Sequence, residues 1–476
     1  MSPHALAHAG ADKRASQIAR RIEADIIRRG WPIGQSLGSE QALQQRYQVS
    51  RSVLREAVRL VEHHQVARMR RGPNGGLLVC EPDAAPATHA IIIYLEYLGT
   101  TIGDLLDARL LLEPLAASLA AERIDETGIE RLRAVLVAEE HRTSEPLNDE
   151  FHAALAEQSK NPVLQLFIDI LMRLTVRYAE GSRLDSASDA FEAIEHRHRD
   201  HSAIVAAVTA GDVARAVTRS QQHAESVTKW LQDHHRPSPR KRRRADREVP
   251  QGKLAEVLAA AIRDDIASSG WQIGEVFGTE VALLERYQVS RAVLREAVRL
   301  LEYHAVATTR RGPGGGLVVS EPQAQASIDT IALFLQYRQP RREDLTLIRD
   351  AIEIDNVAKV VARHDSPEVR AFLDVQRRMI EEAGDDPGKA DVEEFLFHAG
   401  LAKLAGNAVL ELFLRILVEV FRRYWASTDR PVPSRADLVD VRHAHLRIIE
   451  AISQGDDSLA RHRARRHLDA AASWWL

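Results

Sequence analysis

At 476 residues, with 45% apolar, 28% charged and only 5% aromatic residues, the chain has material for several buried cores and does not have the composition of a disordered protein. One cysteine, Cys80, excludes an internal disulfide and a cysteine-based zinc cluster. The strongest apolar run, Ile91–Leu95, is far too short to span a bilayer, and Met1–Arg14 lacks the apolar core of a signal peptide, so a cytoplasmic protein with no membrane role is expected. The net charge of −4 hides a local excess of positive charge: residues 46–71 hold seven arginines against Glu56 and Glu62, and residues 286–311 hold six against Glu296 and Glu302.

Those two basic segments are copies of each other. From Tyr47 to His64, 15 of 18 residues match Tyr287 to His304, and Arg70–Leu77 returns as Arg310–Leu317, so the chain is read as two repeats of roughly 240 residues. In chain order, Ile18, Ile22, Ile26 and Ile27 predict a first helix ending near Gly30, and Leu254, Leu258, Ile262 and Ile266 predict its copy ending near Gly270. A second short helix follows Ser39 or Thr279. Ser50 or Ser290 then caps a third, in which Val53, Leu54, Ala57, Val58 and Val61 face inward while Arg51, Arg55 and Arg59 fall four apart on the opposite stripe. Two β-prone runs around the glycine-rich stretch 72–76 complete a hairpin, and three helices plus a hairpin predict a winged helix-turn-helix.

After each head, apolar residues recur at intervals of three and four, as in Leu105, Leu106, Ala108, Leu112, Leu115, Ala116 and Leu119, which predicts an all-α bundle of six or seven helices. The fold class is therefore mainly α. The expected boundaries are 13–83 for the first head, 88–234 for the first bundle, 235–250 for a basic, proline-containing linker, 251–323 for the second head and 326–476 for the second bundle.

The heads resemble the GntR family of bacterial transcription regulators through Ser39-Glu40, Val49-Ser50-Arg51, Leu54-Arg55-Glu56-Ala57 and the wing glycines, although Gln41 and Val281 stand where that family often has arginine. The helical halves resemble the FCD effector domain of its FadR-like subgroup. Asp107, Arg109 and Glu113 match that domain's first helix, Asn148–His152 its central motif, and His201 and His223 its later histidines; Arg349, Glu353, Glu394, His398, His445 and His467 are the second set. The resemblance implies a sequence-specific DNA-binding regulator, most simply a repressor, and not an enzyme.

On that footing Arg51, Arg55, Arg291 and Arg295 are the candidates for reading base edges in the major groove. Arg59 and Arg299 are assigned to the DNA backbone, and Ser50 and Ser290 are counted among the DNA-binding residues. Arg70, Arg71, Arg310 and Arg311, with Gly75, Gly76, Gly315 and Gly316, are the candidates at the wing. Near-identical reading helices predict a double-stranded operator with two similar half-sites, bound by one chain as a pseudo-dimer; pairing of two chains is left open. Asn148 and His152 share one helix face, and His201 and His223, like His445 and His467, are 22 residues apart, so each bundle carries three histidines and one oxygen ligand suited to zinc or another divalent transition metal. Glu394 makes the second site the better ligand set. Arg109 and Arg349 are the candidates for clamping a small organic acid at the metal. Two competing readings are a metal-dependent hydrolase carrying DNA-binding heads and an architectural DNA-binding protein.

Overall fold

A computed structural model describes residues 3–70, 72, 75–141, 150–179, 187–234, 251–312, 314–382, 387–425 and 435–475. The first head comprises α1 (Pro3–Arg28), α2 (Glu40–Tyr47), α3 (Arg51–His63), β1 (Ala67–Arg70) and β2 (Gly76–Val79). Ser39 and Ser50 cap α2 and α3 by accepting hydrogen bonds from the amides of Ala42 and Val53. Between the two helices Gln48 takes a left-handed conformation, φ 52°, which closes the tight turn. Ile22, Ile26, Leu43, Leu54, Ala57 and Val61 fill the core beneath α3. β1 and β2 pair antiparallel from Ala67–Val79 to Arg70–Gly76 and form the wing.

The first bundle follows as α4 (Ala85–Tyr97), α5 (Ile102–Arg123), α6 (Glu126–His141), α7 (Glu150–Gln158), α8 (Pro162–Ala179), α9 (Ala187–Thr209) and α10 (Val213–His234). Thr101 and Asp104 start α5 with a reciprocal capping box, and α5 is the central helix against which α7, α8, α9 and α10 pack. The second head comprises α11 (Gln251–Ser268), β3 (Val276–Gly278), α12 (Glu280–Tyr287), α13 (Arg291–Tyr303), β4 (Ala307–Arg310) and β5 (Gly316–Val319). β3 is a strand that the sequence did not announce. It adds to β5 to make a three-stranded sheet, whereas the first head has only a bridge between Ser36 and Leu78 at that place. The second bundle is α14 (Gln325–Arg338), α15 (Arg342–Val361), α16 (Pro367–Glu382), α17 (Pro387–Ala405), α18 (Ala408–Trp425), α19 (Arg435–Ser453) and α20 (Asp457–Trp475), with α15 in the central position.

These elements pack as two compact units that cross the repeat boundary. One joins Met1–Ala87 to Ala326–Leu476, and the other is Thr88–Gln325. In the first unit, Leu333 of α14 is fully buried in the core of the first head, and Tyr337 packs edge-on against Trp31 at 5.4 Å. Arg423 of α18 donates to Glu23 at 3.0 Å and to Glu419, and it pairs with Asp329 at 3.2 Å. In the second unit, Ile93 of α4 enters the core of the second head and Tyr97 packs on Trp271 at 5.4 Å. Arg177 of α8 is ion-paired with Glu96 and with Asp264. Each head is thus docked on the bundle encoded by the other repeat; Leu333 and Ile93, Tyr337 and Tyr97, and Arg423 and Arg177 are equivalent pairs, while the acids that the two arginines hold are not.

Candidate nucleic-acid interface and candidate metal centres

Helices α3 and α13 project their arginines as the fourfold spacing requires. Arg51, Arg55 and Arg59 are all more than half exposed, and a single acid on the preceding helix gathers two of them: Glu40 Oε1 accepts from Arg51 Nε at 3.1 Å and from Arg55 Nε at 2.8 Å. Those two hydrogen bonds hold the Glu40 carboxyl below its ordinary range. The second head is looser at the same place, with Arg295 and Glu280 3.8 Å apart. Arg291 is exposed. Arg59 and Arg299 each donate to the glutamate three residues earlier, Glu56 or Glu296, at 3.0 Å. Sequence reasoning took Glu40 only as a motif letter; the signal that could have found its role is that it follows the N-cap Ser39 and so faces the start of α3.

At the wings, Arg70, Arg310 and Arg311 are exposed, and Arg310 donates to the carbonyl of Gly314 at 3.0 Å. Arg71 lies outside the described residues. The amides of Gly75 and Gly315 donate to Gly72 and Gly312, each at 2.9 Å, and tighten the tips. Gly76 has φ 139°, and a Cβ there would stand 2.6 Å from the carbonyl oxygen of Gly38, so this glycine is required by packing inside the head. Ser50 and Ser290 are occupied as helix caps, with Val53 or Val293 donating to their hydroxyls at 3.4 Å.

In each bundle, three histidines from three helices converge. His152, His201 and His223 of α7, α9 and α10 lie with their ligand atoms within 4.8 Å of one another, as do Glu394, His398, His445 and His467 of α17, α19 and α20. His201 Nε2 and His223 Nε2 are 3.3 Å apart; in the second bundle His467 Nε2 is 3.1 Å from His398 Nε2 and 3.2 Å from His445 Nε2. Asn148 lies outside the described residues.

The far side of five of the six rings meets a carboxylate. His201 Nδ1 meets Glu139 at 3.0 Å, His223 Nδ1 meets Asp200 at 3.3 Å and His152 Nδ1 meets Glu113 at 3.4 Å. Likewise His398 Nδ1 is bonded to Glu353 and His445 Nδ1 meets Glu393 at 3.2 Å. In the first bundle, assigning the Nδ1 hydrogens of His201 and His223 to their carboxylates leaves the two Nε2 lone pairs pointing at each other, an arrangement that repels unless a cation or a shared proton lies between them. Glu394 Oε2, buried and without a hydrogen bond among the described residues, faces His445 Nε2 at 3.0 Å. The donor set fits a divalent transition metal held by nitrogen and oxygen.

The two centres differ in charge. Burial among other histidines drives His152 down to about 4 and His201 well below its ordinary range, against the pull of Glu113 on His152. In the second centre burial again works to lower His398, but Glu353 and Glu394 outweigh it and push the ring up to about 10. Glu394 itself is held well below the carboxylate range, because the three surrounding histidines overcome burial. The second centre thus carries the extra negative charge that a cation would neutralise.

Arg109 and Arg349 reach the centres indirectly. Arg109 Nε donates to Glu113, whose other oxygen holds His152, and Arg109 Nη1 donates to Thr175 of α8 at 3.4 Å. Arg349 binds Asp350 at 2.9 Å, stands 3.7 Å from Glu353 and lies over the ring of Phe421 on α18 at 5.8 Å. Both arginines are buried. The carboxylates that orient the later histidines, Glu139 and Glu393, went unnoticed in the sequence. They come from non-equivalent helices, α6 and α17, so the repeat itself gave no cue.

Two capped winged heads with exposed arginines, each docked on a helical bundle with a buried histidine cluster, have the build of a DNA-binding transcription regulator. The FCD domain family matches residues 104–226 and 344–470, more than half of the chain, and the bacterial regulatory proteins of the gntR family match residues 14–74 and 254–317. The chain belongs to the GntR family of regulators, with both its DNA-binding and its FCD domains present twice. It is 29% identical over 201 residues to the HTH-type transcriptional regulator LutR of Bacillus subtilis, an alignment that takes in 41% of this chain and 90% of LutR. It is 26% identical over 222 residues to the Uxu operon regulator of Haemophilus influenzae, 44% of this chain and 79% of that protein. The Exu regulon transcriptional regulator of Escherichia coli is 24% identical over 221 residues, 46% of this chain and 82% of its own length. Each relative corresponds to about one repeat. Among the described residues, no helix is long and apolar enough to cross a membrane.

Proposed function

We propose that the chain binds a bipartite operator through both heads and that a divalent transition metal, zinc by preference, sits in each bundle and presents an open position to a small organic acid. Arg51, Arg55, Arg291 and Arg295 read guanine-containing half-sites in the major groove, with Arg59, Arg299 and the wing arginines on phosphate. A single chain then does what a dimer of one-repeat regulators does, with the second head at high local concentration. It acts by binding rather than turnover, in the cytoplasm, and represses the genes behind its operator.

The observation that carries the sensor half of this reading is the convergence of three histidines in each bundle, five of the six with Nδ1 facing a carboxylate. When bound, the metal supplies a Lewis-acidic position for the acid's carboxylate. Arg109 and Arg349 meet the same carboxylate by exchanging it for Glu113 or Glu353.

Supporting a route from sensor to head is an unbroken series of contacts in the first unit. His398 is held by Glu353, beside Arg349, which lies over Phe421 of α18; two residues on, Arg423 holds Glu23, and Glu23 holds His64, the C-cap of α3, at 2.6 Å. In the second unit the series is His152, Glu113, Arg109 and Thr175 on α8, then Arg177 to Asp264 beside Arg263; Arg263 meets His89 at 3.3 Å, and His89 packs on His304, the C-cap of α13, at 4.8 Å. An effector that changes the carboxylate partners of Arg349 or Arg109 biases the dock and so the DNA affinity.

Selection of duplexes from a random pool by the full chain, followed by titration of zinc and small acids against the selected site, tests the reading. A motif of two similar half-sites whose affinity shifts with zinc or an acid is expected. A single unrepeated motif, or affinity indifferent to both, would overturn it.

A further inference from the structure

Two buried positions on the helices around the centres hold an amide in the second bundle and an apolar side chain in the first. On α15 the stripe that carries Arg349 and Glu353 continues one turn further to Asn356, which is 1% exposed. Neither its side-chain oxygen nor its nitrogen has a hydrogen-bond partner among the described residues. On α5 the equivalent stripe of Arg109 and Glu113 continues to Ala116, fully buried. A second amide repeats the contrast. Gln376, 4% exposed and with its Oε1 unpartnered, sits on the inward face of α16 between Leu373 and Ile380, where the burial pattern of α6 places Val135 between Leu132 and Glu139. In the first bundle this face carries Glu139, which orients His201, and in the second α16 packs against α17 and α19, the helices that carry His398 and His445.

Burying an amide with both ends unbonded opposes folding, and an alanine at that position is known to suit this architecture because the other bundle has one. The unbonded ends are therefore explained by a group that arrives from outside the chain. An amide offers one acceptor and a pair of hydrogens, which suits a hydroxyl, itself both donor and acceptor, better than a second carboxylate.

We propose that Asn356, supported by Gln376, is a specificity-determining contact of the second bundle, receiving the hydroxyl groups of a hydroxylated carboxylic acid whose carboxylate lies at the metal and Arg349. This rests on the metal-and-acid reading above. The first bundle, apolar at both places, does not distinguish such acids from their unhydroxylated counterparts, so the two sensors of one chain answer to different ligands.

The test uses the full chain loaded with zinc, excess metal removed, and two probes of equal chain length, gluconate and hexanoate, followed by calorimetry. His201→Ala removes the first centre and leaves the second as the only sensor. In that background gluconate is expected to bind about tenfold or more tightly than hexanoate, because a polar site rejects a ligand that leaves it unpaired. Asn356→Ala, which copies Ala116, is expected to erase the preference, to leave zinc uptake unchanged and to melt no lower than the parent without ligand. A preference that survives Asn356→Ala, or that is absent with Asn356 intact, overturns the proposal while zinc binding leaves the sensor reading standing. Failure of the second centre to take up zinc at all brings down both.

Discussion

Arg55 Nε lies 2.8 Å from Glu40 Oε1, the same oxygen that accepts from Arg51 Nε at 3.1 Å. One acid on α2 thereby holds together the two arginines of α3 that are proposed to read bases. Replacing it by glutamine removes a negative charge from the interface and releases both guanidinium groups. Glu40→Gln is expected to strengthen binding to unrelated duplex and to lower discrimination for the selected operator by on the order of tenfold. Anisotropy titrations against operator and scrambled duplex check this, and unchanged discrimination refutes it. The looser contact in the second head, 3.8 Å, predicts a smaller effect for Glu280→Gln.

The reading arginines and the phosphate arginines separate by their salt dependence. Arg55→Ala and Arg295→Ala should each cost about 1–3 kcal/mol of discrimination at one base pair of their half-site. Arg59→Ala and Arg299→Ala should weaken all duplexes alike and reduce the slope of log affinity against log salt by about one. Loss of base preference in the Arg59 variant would reverse the assignment.

Zinc stoichiometry distinguishes the centres. The full chain should bind two equivalents, His201→Ala and His445→Ala one each, and Glu394→Gln should weaken one of the two classes of site without removing it. Because the heads are crossed, zinc added to the His201→Ala chain should slow amide exchange in α3 of the first head, and zinc added to the His445→Ala chain should slow it in α13 of the second. Protection of the head from the same repeat as the surviving centre would contradict the crossed route.

Tyr47 provides a pH signature for the first head. Burial and its hydrogen bond to Asp25 at 2.6 Å push its hydroxyl up to about 12, whereas an unfolded tyrosine titrates near 10. The folded state therefore holds the proton over a range in which the unfolded state has lost it. The contribution is complete below about pH 10 and is lost as pH rises through about 12, with a magnitude on the order of 1–2 kcal/mol. The difference in melting temperature between the parent and Tyr47→Phe should shrink over that interval; a constant difference would show that the hydroxyl does not titrate with folding.

Much of this was legible in the sequence because the signals are local. Ser50 followed by inward residues at intervals of three and four marks α3, and the glycines at the wing mark its turn; equal 22-residue spacings pick out the later histidine pairs. Contacts between distant segments left no such trace. Glu139 and Glu393 orient equivalent histidines from different helices, so comparing the repeats hides them. Asp329 and His89 occupy equivalent docking positions with different chemistry, and neither reveals from its neighbours in sequence that it lies at the head of the other repeat rather than its own. Strand β3 depends on a partner, β5, some forty residues further along, and its own three residues carry no strand pattern of useful length.

Leu333 is wholly enclosed by the head of the opposite repeat, and so is Ile93 by the other. Severing the polypeptide near residue 240 would consequently yield no autonomous half: each fragment would retain a head stripped of its support and a bundle with a bared apolar face. Two copies of one fragment could restore both surfaces only by exchanging arms. Duplication here has made the halves mutually dependent, and an engineer transplanting one repeat would have to carry its counterpart along.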